Sequence, residues 1–260
     1  MKSPLNNGKY PEELGFINNI GAHTARTIMF KELAMLFNAT TKISPNEEIR
    51  NKVYYENILH KKSISGRGES FGYLKKTYGL DPNIPLCNML RWAWNASEEQ
   101  ERPLLALLCA LSRDASLRVT AAYIFSLLPG KIADKEKISA LIEQAFPNSY
   151  SPSVIASMTR NLLSSWTQSG HLQGLVKKTR MKANSNTSAC VFALAIGYLA
   201  GYRGRMLLDT IWMRALDATD YEIQDYLQRA MKKGWIRYQQ SGGMTEISLS
   251  DEIIRIGIKT

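Results

Sequence analysis

Positive charge is the chemistry that this sequence distributes most unevenly. From Gln144 to Leu208 there is no aspartate or glutamate, yet Arg160, Lys177, Lys178, Arg180, Lys182, Arg203 and Arg205 all fall in that stretch. Even spacing of the 23 acidic residues over 260 positions would put about six of them there. An electropositive face built from such a stretch suits a polyanion, because each phosphate neutralised by Lys or Arg adds both affinity and salt dependence. A second basic cluster, Lys61, Lys62, Arg67, Lys75 and Lys76, is interleaved with Phe71, Tyr73 and Tyr78. Interleaving of this kind serves base stacking plus backbone neutralisation. It reads equally as a basic loop whose rings point into the core. The run SGRG at 65–68 lacks the Lys-Ser/Thr ending of a phosphate-binding loop and the spacing of a dinucleotide fingerprint.

Catalytic groups are sparse by comparison. His23, His60 and His171 have no second histidine or carboxylate at metal-ligand spacing. No HExxH, GxSxG or Cys–His arrangement is present. A nuclease needs clustered carboxylates to hold its metal ions, whereas the acids here are scattered or lie at helix starts. Cys87, Cys109 and Cys190 are odd in number, far apart and set in apolar runs, which predicts buried free thiols rather than a disulfide framework or a zinc site. Arg113-Asp114, at the end of an apolar helical run, reads as a helix-boundary charge pair. The expectation is a binding protein with no catalysis, cofactor or metal.

The elements that must position the cations come next. With 260 residues, 45% hydrophobic and 22% charged, the chain can bury a substantial core as one large domain or two small ones. The N-terminal residues contain no apolar run of signal-peptide length. Leu104–Leu111 and Ala189–Tyr202 fall short of the ~20 residues that span a bilayer. No membrane partner and a cytoplasmic location are therefore expected.

Residues 1–20 read as a loosely structured start, Thr24–Phe37 as a helix, and Ser44-Pro45-Asn46-Glu47 as the opening of another that runs roughly to Leu59. Residues 60–79 fit a loop followed by a short helix. Helices over Leu86–Trp94, from Ser97 through Leu111, and over Arg113–Leu128 complete a helical bundle domain, 1–130, closed by Pro129-Gly130. Residues 131–185 form a helix-turn-helix/wing-like module. Asp134–Phe146 is a short helix, and Ser151-Pro152 starts a second whose Ile155, Met158, Leu162 and Trp166 make one buried stripe. Gly170, an extended segment His171–Val176 and a basic loop at 177–182 follow, the order of a helix-turn-helix with a wing. Residues 186–260 partly repeat this order as a second winged-helix-like module. Ala189–Leu199 and Met206–Leu216 are apolar helices, and Thr219 and Glu222 form a capping box. Ile236/Tyr238 and Ile247/Leu249 alternate about a turn at Ser241-Gly242-Gly243, which predicts a β-hairpin. The fold expected is mainly α: a helical N-terminal bundle, then winged helix-turn-helix-like modules with a C-terminal β-hairpin.

In that arrangement the helix starting at Ser151 offers backbone N–H groups to a phosphate, and Ser153, Ser157, Arg160, Asn161 and Ser164 project toward base edges. Lys177, Lys178, Arg180 and Lys182 flank the duplex backbone or enter a minor groove. Lys61, Lys62, Arg67, Arg203 and Arg205 extend the basic surface. Glu222 and Asp225 on the last long helix would repel phosphate, so that module is expected to be structural or protein-facing. The alternative is a protein–protein adaptor that uses its winged-helix modules as docking surfaces, without nucleic acid. Unequal modules carry no pseudo-symmetry from which to read an oligomeric state or a palindromic target.

Three segments also carry a family resemblance. ENILHKKSISGRGESFGYLKKTYG (56–79), EEQERPLLALLCALSRDASLRVTAAYIF (98–125) and SPSVIASMTRNLLSSWTQSGHLQG (151–174) resemble, in pattern and order, the BrxA-type proteins of BREX phage-defence systems. The resemblance covers roughly residues 20–180. It implies a small, mostly helical, non-enzymatic protein that binds double-stranded DNA and works beside other phage-defence proteins. It places interest on Asn57, Lys61, Lys62, Ser63, Arg67, Arg160 and the basic loop after His171. The tail beyond about residue 185 is longer than a compact member of that family would carry.

Overall fold

Helix boundaries in this chain follow capping chemistry more closely than they follow composition. The structure, a computed structural model, describes residues 9–40, 46–241 and 244–257. Its helices are α1 (Phe30–Ala39), α2 (Asn46–Tyr54), α3 (Ile64–Tyr78), α4 (Pro85–Asn95), α5 (Arg102–Arg113), α6 (Ala115–Ser126), α7 (Lys135–Ala145), α8 (Pro152–Gln168), α9 (Thr187–Leu199), α10 (Ile211–Arg214), α11 (Asp220–Lys232) and α12 (Asp251–Gly257). Two antiparallel hairpins interrupt them, β1 (Leu172–Gln173) with β2 (Thr179–Arg180) and β3 (Ile236–Ser241) with β4 (Met244–Leu249). The protein is therefore mainly helical, with both hairpins in its C-terminal half.

Two helices that are apolar on every side make the centre, as such helices must. In α5 every residue from Leu104 to Arg113 is buried, and in α9 every residue from Ser188 to Gly197. α3, α4, α6 and α9 pack on α5, and α4, α10 and α11 pack on α9. One apolar cluster runs from Phe16 to Ile253. Met89 of α4 lies where a Cβ on Gly257 would come within 2.7 Å of its Cε, so α12 is docked closely.

Several expected boundaries shift. The first helix begins at Phe30 rather than Thr24, because Met29 takes a left-handed φ of 50° and residues 22–28 reach across to α6 and α8. The stretch 60–79 is a loop followed by a helix, as expected, but the helix is long, 15 residues from Ile64 to Tyr78. Ser63 accepts the Gly66 N–H as its N-cap, Gly79 closes it in the left-handed region, and Gly68 lets Tyr54 pass closely. Arg113–Leu128 is not continuous: Asp114 is extended and starts α6 as its N-cap. Met206–Leu216 is a 3₁₀ segment, Gly204–Asp209, followed by the single turn α10. The Thr219–Glu222 capping box and the second hairpin are as expected, but Ser241, expected in the turn, belongs to β3, so that Ile236 pairs with Leu249 and Tyr238 with Ile247. Ser44-Pro45 and Gly242-Gly243 lie outside the described residues.

The first hairpin has a third neighbour. Ile132 forms an antiparallel bridge with Thr179, and Gly130 N to Arg180 O (2.9 Å), Arg180 N to Lys131 O (2.7 Å) and Ala133 N to Lys178 O (2.7 Å) bind residues 130–133 along β2. The chain order is thus α6, bridge segment, α7, α8, β1, turn, β2.

Four arginines share one structural task. Arg91 donates to Phe37 O of α1 (2.9 Å), Arg113 to Lys76 O of α3 (3.1 Å), Arg118 to Leu111 O of α5 (2.8 Å) and Arg180 to Ile124 O of α6 (3.1 Å). In each case the carbonyl lies two residues before the end of its helix, past the regular i→i+4 ladder, where the helix dipole favours a cation; Ile124 O accepts the Leu127 N–H (3.3 Å) as well. Burial lowers the Arg91 guanidinium to about 10, which leaves it charged at neutral pH. The three cysteines are buried and free, and burial raises Cys87 to about 11 and Cys190 to about 12, so they are inert thiols.

Candidate nucleic-acid interface

α8 turns an apolar stripe inward and leaves a narrow polar stripe outside. Met158, Leu162 and Trp166 are fully buried. Ser153, Ala156 and Arg160 are exposed, and Ser157 and Ser164 are half-buried beside them. Arg160 donates to Ser157 Oγ at 2.8 Å, which lays the guanidinium along the helix surface. Ser151 makes no side-chain cap, its hydroxyl pairing instead with Ser153 at 3.0 Å, and Pro152 occupies the first turn.

Two clefts flank this stripe. On one side residues 25–32 and the start of α3 enclose about 610 Å³ with Asn161 and Gln168 of α8. Arg26, Lys31, Lys61 and Lys62 line it, against Glu32 and Glu69. Lys61 pairs with Glu32 at 2.8 Å and Arg26 with Glu69 at 2.6 Å, so Lys31 and Lys62 add positive charge beyond these pairs. On the other side α7, α8 and the β1–β2 turn enclose about 1240 Å³. Arg160, Ser164, Lys177 and Lys178 line its α8 and turn walls, and Asp134, Lys135, Glu136 and Glu143 its α7 wall. Positive charge therefore follows the α8 stripe, the turn and the α1–α3 flank, where Glu32 and Glu69 are taken up in ion pairs, and the remaining acids of the two clefts lie on the α7 wall.

The structure brings Ser153, Ser157, Arg160, Asn161, Ser164, Lys61, Lys62, Lys177 and Lys178 onto or beside this one helix. It does not bring the rest. Arg180 is removed from the candidate surface: it is 3% exposed and ion-paired with Asp217, Nη2–Oδ1 2.6 Å and Nη1–Oδ2 2.9 Å. Lys182 pairs with Glu222 at 2.5 Å and 2.7 Å, which neutralises it and ties the segment after β2 to α11. Arg67 turns inward to donate to Tyr54 O at 2.6 Å. Arg203 stacks 3.7 Å over the Tyr198 ring and Arg205 sits on the Gly204–Asp209 turn, which packs on α9 and β4 rather than α8. Asn161 is held as well, donating to His23 O at 3.0 Å. Phe71 and Tyr78 are core residues, so the basic interleaving at 61–78 is no stacking platform. The local signal for Lys61 lies in Asn57, which at φ 53° accepts the Lys61 N–H at 2.9 Å and sets the turn into α3.

Arg113 and Asp114 are not paired with each other, contrary to expectation. Asp114 Oδ2 meets His23 Nδ1 at 2.6 Å, and His23 Nε2 meets Ser165 Oγ of α8 at 2.8 Å. A hydroxyl, an imidazole and a carboxylate in line suggest nucleophilic catalysis, but this set is sealed. Ser165 and His23 are fully buried, and Ser165 Oγ also accepts from Ile28 N (3.0 Å) and donates to Asn161 O (2.8 Å). Burial pushes the Asp114 carboxyl up, but the His23 charge and hydrogen bond, with those from Ser116 and Gly21, outweigh it and hold it below the usual carboxylate range. The set is a pin that fixes residues 22–28 to α6 and α8. Among the described residues no group of three His, Cys, Asp or Glu is placed to hold a metal, and no helix is long and apolar enough to cross a membrane.

His171, at the base of the β1–β2 hairpin, bonds Ser169 Oγ and Ala215 O, each at 2.9 Å, and packs edge-on to Trp166. Burial, aided by Arg180, lowers it from 6.5 to about 4. Between these values the unfolded chain takes up a proton that the folded chain refuses. This part of the stability is complete above 6.5 and is lost as pH falls toward 4. Melting temperatures measured across that window should fall less steeply in His171→Gln than in the parent. Equal slopes would contradict the assignment.

Compared with protein-family models and with curated proteins, the chain matches none.

Proposed function

We propose that this protein is a non-catalytic accessory protein that binds double-stranded DNA, and that residues 115–182 form a winged helix with α8 as the helix that enters the major groove. The order α6, bridge segment, α7, α8, β1, turn, β2 supports the winged-helix reading, with Ile132 in the place of the first strand. The observation that carries the DNA reading is the alignment of cations with α8. Arg160 stands on its exposed stripe, Lys177 and Lys178 in the adjoining turn, and Lys31 and Lys62 across the opposite cleft, so that cations flank the helix on both sides as the two strands of a groove require. Small side chains at Ser153, Ala156 and Ser157 allow close approach of a groove. With the likeness of residues 20–180 to BrxA-type proteins, a role in bacterial anti-phage defence follows as part of the proposal.

The test is fluorescence anisotropy with duplex DNA over a range of salt. The parent should bind at low salt and lose affinity linearly on a log–log plot. The triple variant Lys62→Ala, Arg160→Ala, Lys177→Ala changes only exposed side chains. Its slope should be shallower by about 0.9 for each phosphate that is no longer neutralised, at unchanged melting temperature. Absence of binding at low salt would overturn the proposal in favour of the adaptor reading.

A further inference from the structure

The tip of the β1–β2 turn is apolar, although the stretch around it is basic. Leu175 is 93% exposed and Val176 94% exposed, more than any other large hydrophobic side chain among the described residues. Two adjacent aliphatic residues held wholly in water mark a contact surface rather than chance exposure.

The arm that carries them is stiff. Gly174 takes φ +108°, and a Cβ there would lie 2.2 Å from Lys177 O, so only glycine fits. Lys178 Nζ closes the turn on Gly174 O at 2.6 Å. Below it, β2 is bound to β1 on one side and to residues 130–133 on the other, and it is rooted by the buried Arg180–Asp217 pair. The aliphatic pair therefore projects at a fixed angle, with Lys177 immediately beside it.

We propose that Leu175 and Val176 form a wedge that enters the minor groove and partly unstacks a base step, bending the duplex. The inference rests on the DNA-binding reading and deepens it. Charge complementarity selects the occupant. Lys177 and Lys178 follow the wedge directly in the chain and share its cleft wall with Arg160 nearby on α8, the cations that a phosphate backbone demands, while the acids of α7 stand on the opposite wall. A minor groove about 6 Å wide admits a two-residue tip but not a helix. Apolar side chains pressed between base pairs are a known route to kinked DNA. The α8 stripe, mostly serine and alanine around Arg160, offers few groups for reading base edges. Preference then falls on deformable duplexes rich in TA and CA steps, chosen by the cost of bending them.

The experiment uses the full chain with duplexes carrying 2-aminopurine at a central TA step and a donor–acceptor dye pair at the ends. The parent should raise 2-aminopurine fluorescence several-fold, shorten the end-to-end distance, and prefer the TA-step duplex to an A-tract of equal length. Leu175→Ser/Val176→Ser should keep its melting temperature and, within about threefold, its low-salt affinity, because the cations are intact. It should lose the fluorescence rise, the bend and the preference. A parent that binds the duplex without unstacking it, or a double variant that still unstacks it, overturns the wedge and leaves DNA binding standing. A parent that binds no duplex at low salt overturns both, and makes the tip a protein-docking element.

Discussion

Asp114→Ala is expected to lower the free energy of unfolding by about 3–5 kcal/mol, the range for removing one partner from a buried charged network. Four bonds disappear at once: those from Ser116 N (2.9 Å), Ser116 Oγ (2.6 Å), His23 N (3.2 Å) and His23 Nδ1 (2.6 Å). The first is the N-cap of α6, worth about 1 kcal/mol by itself. The last two leave a backbone N–H and a ring nitrogen in a site that water does not reach, and leaving such groups unpaired costs more than the bonds contribute. Asp114→Asn keeps the shape but turns an amide toward the His23 N–H, so an intermediate loss is expected. Urea denaturation measures both. Amide exchange should also speed up at His23 and at Ile28, whose N–H is bound by Ser165. A loss below about 1 kcal/mol for the alanine variant would show that the pin is dispensable.

Arg180→Met should be nearly as costly, about 3–5 kcal/mol, for a related reason. The guanidinium is buried, grips both oxygens of Asp217, and satisfies Ile124 O at the end of α6. Methionine fills the volume and abandons the carboxylate. Arg180→Lys should rescue little, since one ammonium cannot reproduce a bidentate fork and a third acceptor. The double variant Arg180→Met/Asp217→Leu should recover part of the loss, because replacing a buried pair by apolar groups removes the unpaired charge. It will not recover all of it, as Asp217 also accepts the Ala183 N–H at 3.0 Å. A double-mutant cycle with no coupling would contradict this account. Function should divide in the same way. Loss of DNA binding in an Arg180 variant would track loss of fold, whereas loss in the Lys62/Arg160/Lys177 variant would not.

What the sequence made legible divides along physical lines. The second hairpin was readable as two strands from the alternation of Ile236, Tyr238, Ile247 and Leu249, but not in its register: a three-residue turn at 241–243 would pair Tyr238 with Glu246, whereas Ser241 pairs with Met244 and moves every partner by one. The α8 stripe was equally readable from three- and four-residue spacing. α3 was obscured by Gly66, Gly68 and Gly72, whose low helix propensity is outweighed by the Ser63 cap and by packing of Phe71, Leu74 and Tyr78. α12 passed unread although Ser250-Asp251-Glu252 is a helix start, since the apolar pattern after it is short, Ile253, Ile254 and Ile256. The site was legible by composition and not by residue. Arg180 and Lys177 stand three positions apart in one basic run, and nothing local separates a buried guanidinium from an exposed ammonium. The difference is set by Asp217, 37 residues away. Residues 24–29 read as the start of a helix, but residues 22–29 reach across to α8 through His23, Thr27 and Ile28, contacts that no local pattern announces.

The four arginines that hold helix ends separate two properties usually taken together, intolerance to substitution and contact with a ligand. A saturation library of this protein should be harshest on Arg91, Arg113, Arg118 and Arg180, even toward lysine, since each fork meets carbonyl oxygens fixed by the backbone. Lys62 and Lys177 should drift freely between lysine and arginine. A map of invariant basic positions would therefore outline the scaffold, and the ligand's footprint would emerge among the cations that vary.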